Sequence, residues 1–414
     1  MFSLTRQLSF ESSCPYCHTS TSEVTAYRFT GAAFLATVRC AGCQQEYIQT
    51  LPIGHYKRFP VQLTETCSQF TERGRWVYEP LHAALFQHPA IELPIEICSR
   101  HRPGPKVVIV NTLDSCYGHV LAKVFDVQRH YQQHPEWNII VLVPEIFAWL
   151  VPDYVAEVWV IKGKLSQFDL VISNLDTFIK EQLTRFTDAR MSESRIHFSP
   201  EELNLTAFIK TPAFSLPDFS KKTPQVTLIC REDRLWLRTK LELLLYRLCK
   251  KVKLLQATRF LWVGLQNLRW KRTVLRIHKK RPDIKITAVG LGKTGSLAHS
   301  IQDKRVISSP VPELDWCQTY ASSQVIVGVH GSNMLIPTGL GASFINLVPP
   351  EKIGHLGEDI LLRHCNPILQ SVLGRFLPTS VSPSRVADHV LAIFEEFPVW
   401  WNEYQERVND GLSK

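Results

Sequence analysis

No stretch of this 414-residue chain is long and apolar enough to read as a membrane span. The most hydrophobic segment, Asn138 to Ile161, is broken by Pro144, Glu145, Pro152, Asp153 and Glu157, whereas a span needs about 20 mostly apolar residues. It reads instead as strand, helix and strand inside a core. The first residues, "MFSLTRQLSFESSCPYC", lack the apolar core and small-residue cleavage site of a secretory signal. A cytoplasmic protein is therefore expected, with association at the inner face of a membrane left open. There is no low-complexity tract and no repeat at solenoid or propeller period, which excludes disordered and repeat architectures. What is there is globular composition, 45% hydrophobic and 21% charged, over a length that suits two or three domains.

The net charge of +9 is a local surplus. Lys221 to Lys285 carries 19 Lys or Arg against Glu232, Asp233, Glu242 and Asp283, a balance of +15. A stripe of this size favours an anionic partner: a nucleotide diphosphate, nucleic acid or an acidic membrane surface. A solvated helix face has the same composition.

Eleven cysteines fall into two groups. Four stand early, as "CPYC" (Cys14, Cys17) and "CAGC" (Cys40, Cys43), with 22 residues between the pairs. Two such knuckles can complete a tetrahedral thiolate shell, so a structural zinc in a ribbon-like segment is expected. Four thiolates leave no open coordination position, which assigns that metal to the fold and not to catalysis. The other seven, scattered singly, read as buried small hydrophobes.

Beyond the ribbon the pattern is α/β. "KVVIVN" (106–111), "NIIVLVP" and "FDLVISN" (168–174) read as strands separated by helical periodicity, including "YGHVLAKVFDVQRHY" with Val120, Val124, Val127 and Tyr131 on one face. The proline-, serine- and lysine-rich stretch 211–224 breaks the chain, and the pattern restarts with strands "QVTLIC", "IKITAVG", "QVIVGV" and "SFINLVP". Alternating strands and helices imply parallel crossovers and doubly wound sheets. The expected division is a zinc-ribbon-like segment (1–50), an N-terminal Rossmann-like acceptor domain (51–215), a C-terminal Rossmann-like nucleotide-sugar domain (216–385) and a C-terminal helix packing back (386–414). Ligands of two such domains are expected in their mutual cleft, lined by the loops after the strands.

Four such loops carry chemistry. In "NTLDSCYGH" (111–119), Asp114 and His119 are candidates for a base facing the cleft; Asp114 is equally suited to cap the following helix. In "CREDR" (230–234), Arg231 can grip a diphosphate bidentately, while Arg234 and Arg238 read as part of the solvated basic face. "GLGKTG" (290–295) offers Gly290, Gly292 and Lys293 to a nucleotide, with Glu313 near the acidic position a ribose contact would need. A Walker loop would require glycine where Thr287 stands, and the segment after the glycines is short and polar for a dinucleotide fold. In "VHGSNMLIP" (329–337), His330, Gly331, Ser332 and Asn333 stand at the start of a short helix, where free N–H groups suit an anion. Alternatively, Ser332 is only the cap and His330 a satisfied core histidine.

The segment "ELDWCQTYASSQVIVGVHGSNMLIPTGLGASFINLVPP" resembles the C-terminal signature of glycosyltransferase family 61. The arginine after "VTLIC" and the "LDSCYGH" segment are similar to two further elements of that family. The resemblance implies a GT-B arrangement of two Rossmann-like domains and inverting, metal-independent transfer. It places Arg231, His330, Gly331, Ser332 and Asn333 around a nucleotide diphosphate, with Asp114 and His119 facing the acceptor. The chain departs from the family in its compressed "HGSNM" loop and in Asn346, where the family often has glutamate.

The expected activity is transfer of a sugar from a nucleotide-diphospho-sugar to a hydroxyl acceptor that is a glycan, a polysaccharide or lipid-linked. No catalytic metal is expected. Three competing readings remain: a nucleic-acid-binding zinc-ribbon protein using "RFLWVGLQNLRWKR", an NAD-dependent oxidoreductase using "GLGKTG", and a peripheral scaffold on anionic lipid.

Overall fold

The computed structural model describes residues 1–4, 13–20, 22–64, 68–197, 203–307, 312–361 and 367–409. They fall into two units, Met1–Ser199 and Pro200–Lys414, each built on its own six-stranded sheet.

In the first unit the chain runs through β1 (Phe2–Ser3), β2 (Ser22–Phe29), β3 (Phe34–Cys40), β4 (Glu46–Thr50), β5 (Gln62–Leu63), β6 (Ser68–Gln69) and α1 (Arg75–Phe86). It continues through β7 (Ile95–Ser99), β8 (Lys106–Asn111), α2 (Tyr117–Phe125), α3 (Val127–Gln133), β9 (Asn138–Pro144), β10 (Glu157–Ile161), α4 (Ser173–Leu183) and β11 (Asp188–Met191). The continuous β-branched runs form the central strands because a strand covered on both faces must be apolar at every position. The sheet order is β1-β11-β8-β9-β10-β7. Its four inner strands are parallel and its two edges antiparallel. The chain winds outward from β8 through β9 to β10 and then returns to β11 on the other side of β8. The C-terminal ends of β8 and β11 therefore bracket a topological switch point, where α/β sheets open a crevice.

The four-cysteine segment is not a free-standing module. It belongs to a five-stranded antiparallel sheet, β2 to β6, that extends past residue 50. Cys14, Phe34, Cys40 and Tyr47 share one core with Val107, Ile140 and Trp159 of the parallel sheet.

Three local expectations are corrected. "FDLVISN" is no strand: α4 starts at Ser173, and only Ile172 makes a bridge, to Ile91. A short buried apolar run fits either element, and here the run leads into the helix. The helix after β8 breaks at Asp126, whose buried carboxylate accepts from Arg129 and from the Arg195 backbone. Beyond that break Tyr131 is 50% exposed and not on the buried face.

The second unit contains α5 (Leu205–Ile209), β12 (Gln225–Ile229), α6 (Lys240–Lys251), α7 (Leu255–Lys280), β13 (Lys285–Val289), β14 (Ile301–Asp303) and α8 (Pro312–Ala321). It ends with β15 (Val325–Val329), α9 (Leu335–Leu340), β16 (Ser343–Val348), α10 (Pro367–Leu373), β17 (Gly374–Pro378) and α11 (Pro383–Asn409). The order β14-β13-β12-β15-β16-β17 is parallel throughout. Counted within the unit this is 3-2-1-4-5-6, the doubly wound arrangement of dinucleotide-binding folds, with its switch point between β12 and β15. Phe214, Leu216 and Phe219, from the stretch expected to be a linker, bury in this unit's core, so the division falls at 199/200 and not at 215. Phe397 buries fully in the same core, and Trp400, Trp401 and Tyr404 pack against it. No helix among the described residues is long and apolar enough to cross a membrane.

Candidate active site

At the switch point of the first unit, the turn after β8 brings four ionisable side chains together. Asp114 is the hub. Its Oδ1 accepts from the Cys116 backbone N–H at 3.0 Å and faces His119 Nδ1 at 3.1 Å, while Lys123 Nζ donates to Oδ2 at 2.9 Å. Lys123 is buried on α2 and also donates to the Leu113 carbonyl. One carboxylate thus holds both the turn before α2 and the His119 imidazole.

His119 Nε2 lies 3.1 Å from His55 Nε2. His55 comes from a short 3₁₀ turn, 64 residues earlier in the chain. Burial lowers the pKa of His55 and the neighbouring His119 adds to this, bringing it to about 3. Burial acts against charge on His119 too, but its hydrogen bonds to Asp114 and Cys116 outweigh it and lift the pKa to about 10. The two rings thus hold one proton between them, on His119 and donated to His55. Trp76 stands edge-on to His55 with ring centroids 4.5 Å apart, and is 49% exposed. Asp169 is close by, its carboxyl raised by burial and by the charge of Asp114.

At the switch point of the second unit, β12 delivers Arg231 and β15 delivers His330. The structure does not leave Arg231 open for a diphosphate: it grips Asp233 bidentately at 2.8 and 3.0 Å and lies 3.9 Å from Glu313. Glu313, on the first turn of α8, is raised by burial, an effect that Arg231 opposes. His330 is fully buried. Its Nδ1 meets Asn346 Nδ2 at 3.0 Å, and its Nε2 faces the His355 carbonyl at 3.3 Å and Asp359 at 3.5 Å. An Nδ1 that accepts leaves the hydrogen on Nε2, which donates to these oxygens. Burial lowers the pKa of His330 and raises that of Asp359.

The guanidinium beside the "HGSN" turn belongs to Arg234. A Cβ on Gly331 (φ +155°) would stand 3.1 Å from Arg234 Nε and 2.9 Å from Asn333 Oδ1, so only glycine fits this approach. Arg234 is exposed, and its charge reaches Asp359 together with that of Lys352. Ser332 does not cap a helix through its side chain. It opens a single 3₁₀ turn, followed by the six-residue α9, whose residues are all buried. The helix dipole expected here is therefore short, and the positive charge comes from side chains. Asn333 Oδ1 and Asn346 Oδ1 are buried without a hydrogen-bond partner.

The glycine loop is filled by the protein's own carboxylate. Glu232 accepts from the Thr294 backbone N–H at 2.6 Å, from the Thr294 hydroxyl at 2.9 Å and from Arg259 at 2.6 Å. Gly292 (φ +99°) has no room for a Cβ, which would lie 2.3 Å from that carboxylate, and Gly290 packs on the Cys230 carbonyl. Lys293 is exposed. The chain then enters β14 without a helix, so the dinucleotide fingerprint lacks its phosphate-binding element.

Cys14, Cys17, Cys40 and Cys43 converge, with all four sulfurs within 4.8 Å of one another. The two knuckles are built alike: His18 N–H donates to the Cys14 carbonyl and Gln44 N–H to the Cys40 carbonyl, both at 2.9 Å. His18 and Gln44 both take positive φ. Sulfur pairs at 3.5 and 3.6 Å are close to the edge of about 3.8 Å that a tetrahedron with Zn–S bonds of about 2.3 Å requires. His18 is exposed, and the converging ligand atoms are the four cysteine sulfurs.

His55, Asp169 and Asp359 were not singled out from the sequence, and Arg234 was read as part of the solvated basic face. Arg234 carried a usable signal, lying three residues past Arg231 on the same strand-end loop. His55 carried none, being distant in sequence and flanked by turn residues.

No protein-family model matches the chain, so the family 61 resemblance rests on its own residues, and no curated protein matches it. Among solved structures the chain is similar to E. coli ADP-heptose LPS heptosyltransferase II, with a TM-score of 0.37 and 11% identity over 70% of this chain and 99% of that one. It is similar to E. coli heptosyltransferase WaaC with ADP, at 0.37 and 13% over the same shares. A third similarity is to the glycosylation-associated Gap123 complex from Streptococcus agalactiae, at 0.29 and 11% over 97% of this chain and 80% of that one. The fold class stands on the strand orders: two doubly wound α/β units, with a four-cysteine sheet built into the first.

Proposed function

We propose that this chain is an inverting glycosyltransferase that moves a sugar from a nucleotide-diphospho-sugar to a hydroxyl of a glycan, polysaccharide or lipid-linked acceptor. One observation carries the reading: each unit places its cluster of ionisable side chains at the switch point of a doubly wound sheet, where such sheets bind ligands.

In this proposal the second unit holds the diphosphate. Arg234 and Lys352 supply the positive charge, Ser332 and Asn333 supply polar contacts, and Gly331 lets the phosphate approach the backbone. His330 positions the turn through Asn346 and Asp359. Arg231 orders the β12 loop through Asp233 and Glu313. Fixed cations of this kind can neutralise a departing diphosphate without a divalent metal.

The first unit supplies the base. The acceptor oxygen attacks the anomeric carbon, the bond from that carbon to the diphosphate oxygen breaks, and the hydroxyl proton passes to His119. Asp114 orients His119 and does not itself act as the base, since its oxygens are already engaged. His119 can accept only after giving up the proton it shares with His55. The four cysteines hold a structural zinc that fixes β2 to β4 against the first sheet.

Thermal-shift screening against UDP, GDP, CMP, NAD and ATP tests the proposal. A nucleoside diphosphate should raise the melting temperature, and Arg234→Ala or His330→Ala should abolish that rise while circular dichroism is unchanged. Stabilisation by NAD alone, or equal stabilisation in both variants, would exclude this donor site.

A further inference from the structure

The proposed transfer leaves unused the segment with the largest net positive balance. Lys240 to Lys280, spanning α6 and α7, holds twelve Lys or Arg and a single acidic residue, Glu242, for a net of +11. Glu242 is turned inward: it closes a capping box with Thr239 and pairs with Arg269 of α7. Tyr246 packs edge-on against Trp262 at 5.6 Å. These contacts fasten one side of α6 to α7 and fix which side is left outward.

That outward side is aliphatic. Leu241, Leu244, Leu245, Leu248 and Val252 are 64%, 64%, 44%, 53% and 51% exposed, and α6 buries no residue. At helical spacing the five positions fall within an arc of about 100°. Phe260, Leu261, Leu265 and Leu268 of α7 are exposed as well, at 62%, 51%, 37% and 43%. Arg247 and Lys251 border the stripe along one edge, and Lys250 and Lys253 add exposed charge nearby.

We infer that α6, with the adjoining turn of α7, docks on an anionic lipid surface. An exposed leucine stripe edged by lysine and arginine is the pattern of a helix lying in a bilayer interface, its apolar face among the acyl chains and its cations at the headgroups. Charge complementarity selects this occupant. A second copy of the chain would set the exposed cations around this stripe against their like. Single-stranded nucleic acid would use stacked aromatics, but Trp262 and Trp270 are buried, and Phe260 stands alone among exposed aliphatic side chains.

Co-flotation of the full chain with vesicles tests the inference. One vesicle is phosphatidylcholine alone, and the other contains one third phosphatidylglycerol. The chain should float with the second and not with the first, and added salt should weaken binding. Leu244→Glu combined with Leu248→Glu should abolish flotation while leaving the circular dichroism spectrum and any nucleotide-induced thermal shift intact. Arg247→Gln with Lys251→Gln should weaken partitioning roughly twenty-fivefold, from about fivefold per cation near an anionic surface. Failure to float with the anionic vesicles, or flotation unchanged by the leucine substitutions, overturns the inference. So does a dimer that these substitutions dissociate without any flotation, which would assign the stripe to a second copy. An oligonucleotide shift without flotation would assign the cations to nucleic acid and likewise overturn it.

Discussion

Replacing His55 with glutamine should make the first unit more resistant to acid, by an amount that follows from the geometry. His55 is held neutral, with its pKa lowered to about 3, whereas an unfolded histidine titrates near 6.5. Below 6.5 the unfolded chain takes up a proton that the folded chain refuses, so stability falls as the pH drops, until the folded ring titrates near 3. Each unit is worth about 1.36 kcal/mol, which sets a ceiling of about 5 kcal/mol for the whole window. His55 is only partly buried, and solvent screening reduces this to roughly 2–3 kcal/mol. His130 is fully buried and also lowered to about 3, so it adds a parallel loss over the same range. His119 acts elsewhere: with its pKa raised to about 10, its stabilisation is complete below 6.5 and disappears as pH rises through 10. Urea denaturation at pH 6.5 and about 4.5 should therefore show a loss in His55→Gln smaller by roughly one proton's worth, or about 1–2 kcal/mol after screening. Histidine nitrogen shifts would follow the same ring directly. Equal losses in both chains, or a His55 shift that titrates near 6.5, would refute the shared-proton account.

Three further outcomes are expected. Transfer that uses His119 as base should quicken about tenfold per pH unit on the alkaline side, toward the pKa of about 10; a plateau reached near neutral pH would show that His119 is not the base. Cys17→Ser should lower bound zinc from one per chain, measured by elemental analysis, and lower the melting temperature, because Cys14 and Cys40 share the core of the first sheet. Gly292→Ala should destabilise the second unit by about 2 kcal/mol or more in urea, since the added carbon meets the Glu232 carboxylate at an unfavourable φ.

The glycine loop illustrates where sequence pattern and site part company. "GLGKTG" follows a strand, as a phosphate loop does, yet its glycines accommodate Cys230 and Glu232 of the neighbouring loop. Pattern alone cannot report that an anion of the same chain already occupies the backbone donors. Arg231 and Arg234 show the same limit: both follow β12, but Asp233 engages one, while the other reaches the "HGSN" turn.

The sequence by itself determined most of the parallel strands, the doubly wound class and the four-cysteine cluster. Each depends on local spacing: β-branched runs, alternation with helical periods, and paired CxxC knuckles. That Asp114 and His119 lie together was also legible, because strand ends are where such sheets place polar side chains. Only the tertiary structure decided that His55 completes the first cluster and that Arg234 stands at the second. It also decided that the ribbon shares the core of the first sheet and that the leucines of α6 face outward. These are contacts between segments far apart in the chain, fixed by which buried face each element finds, and hydrophobic burial has no direction that a local pattern can encode.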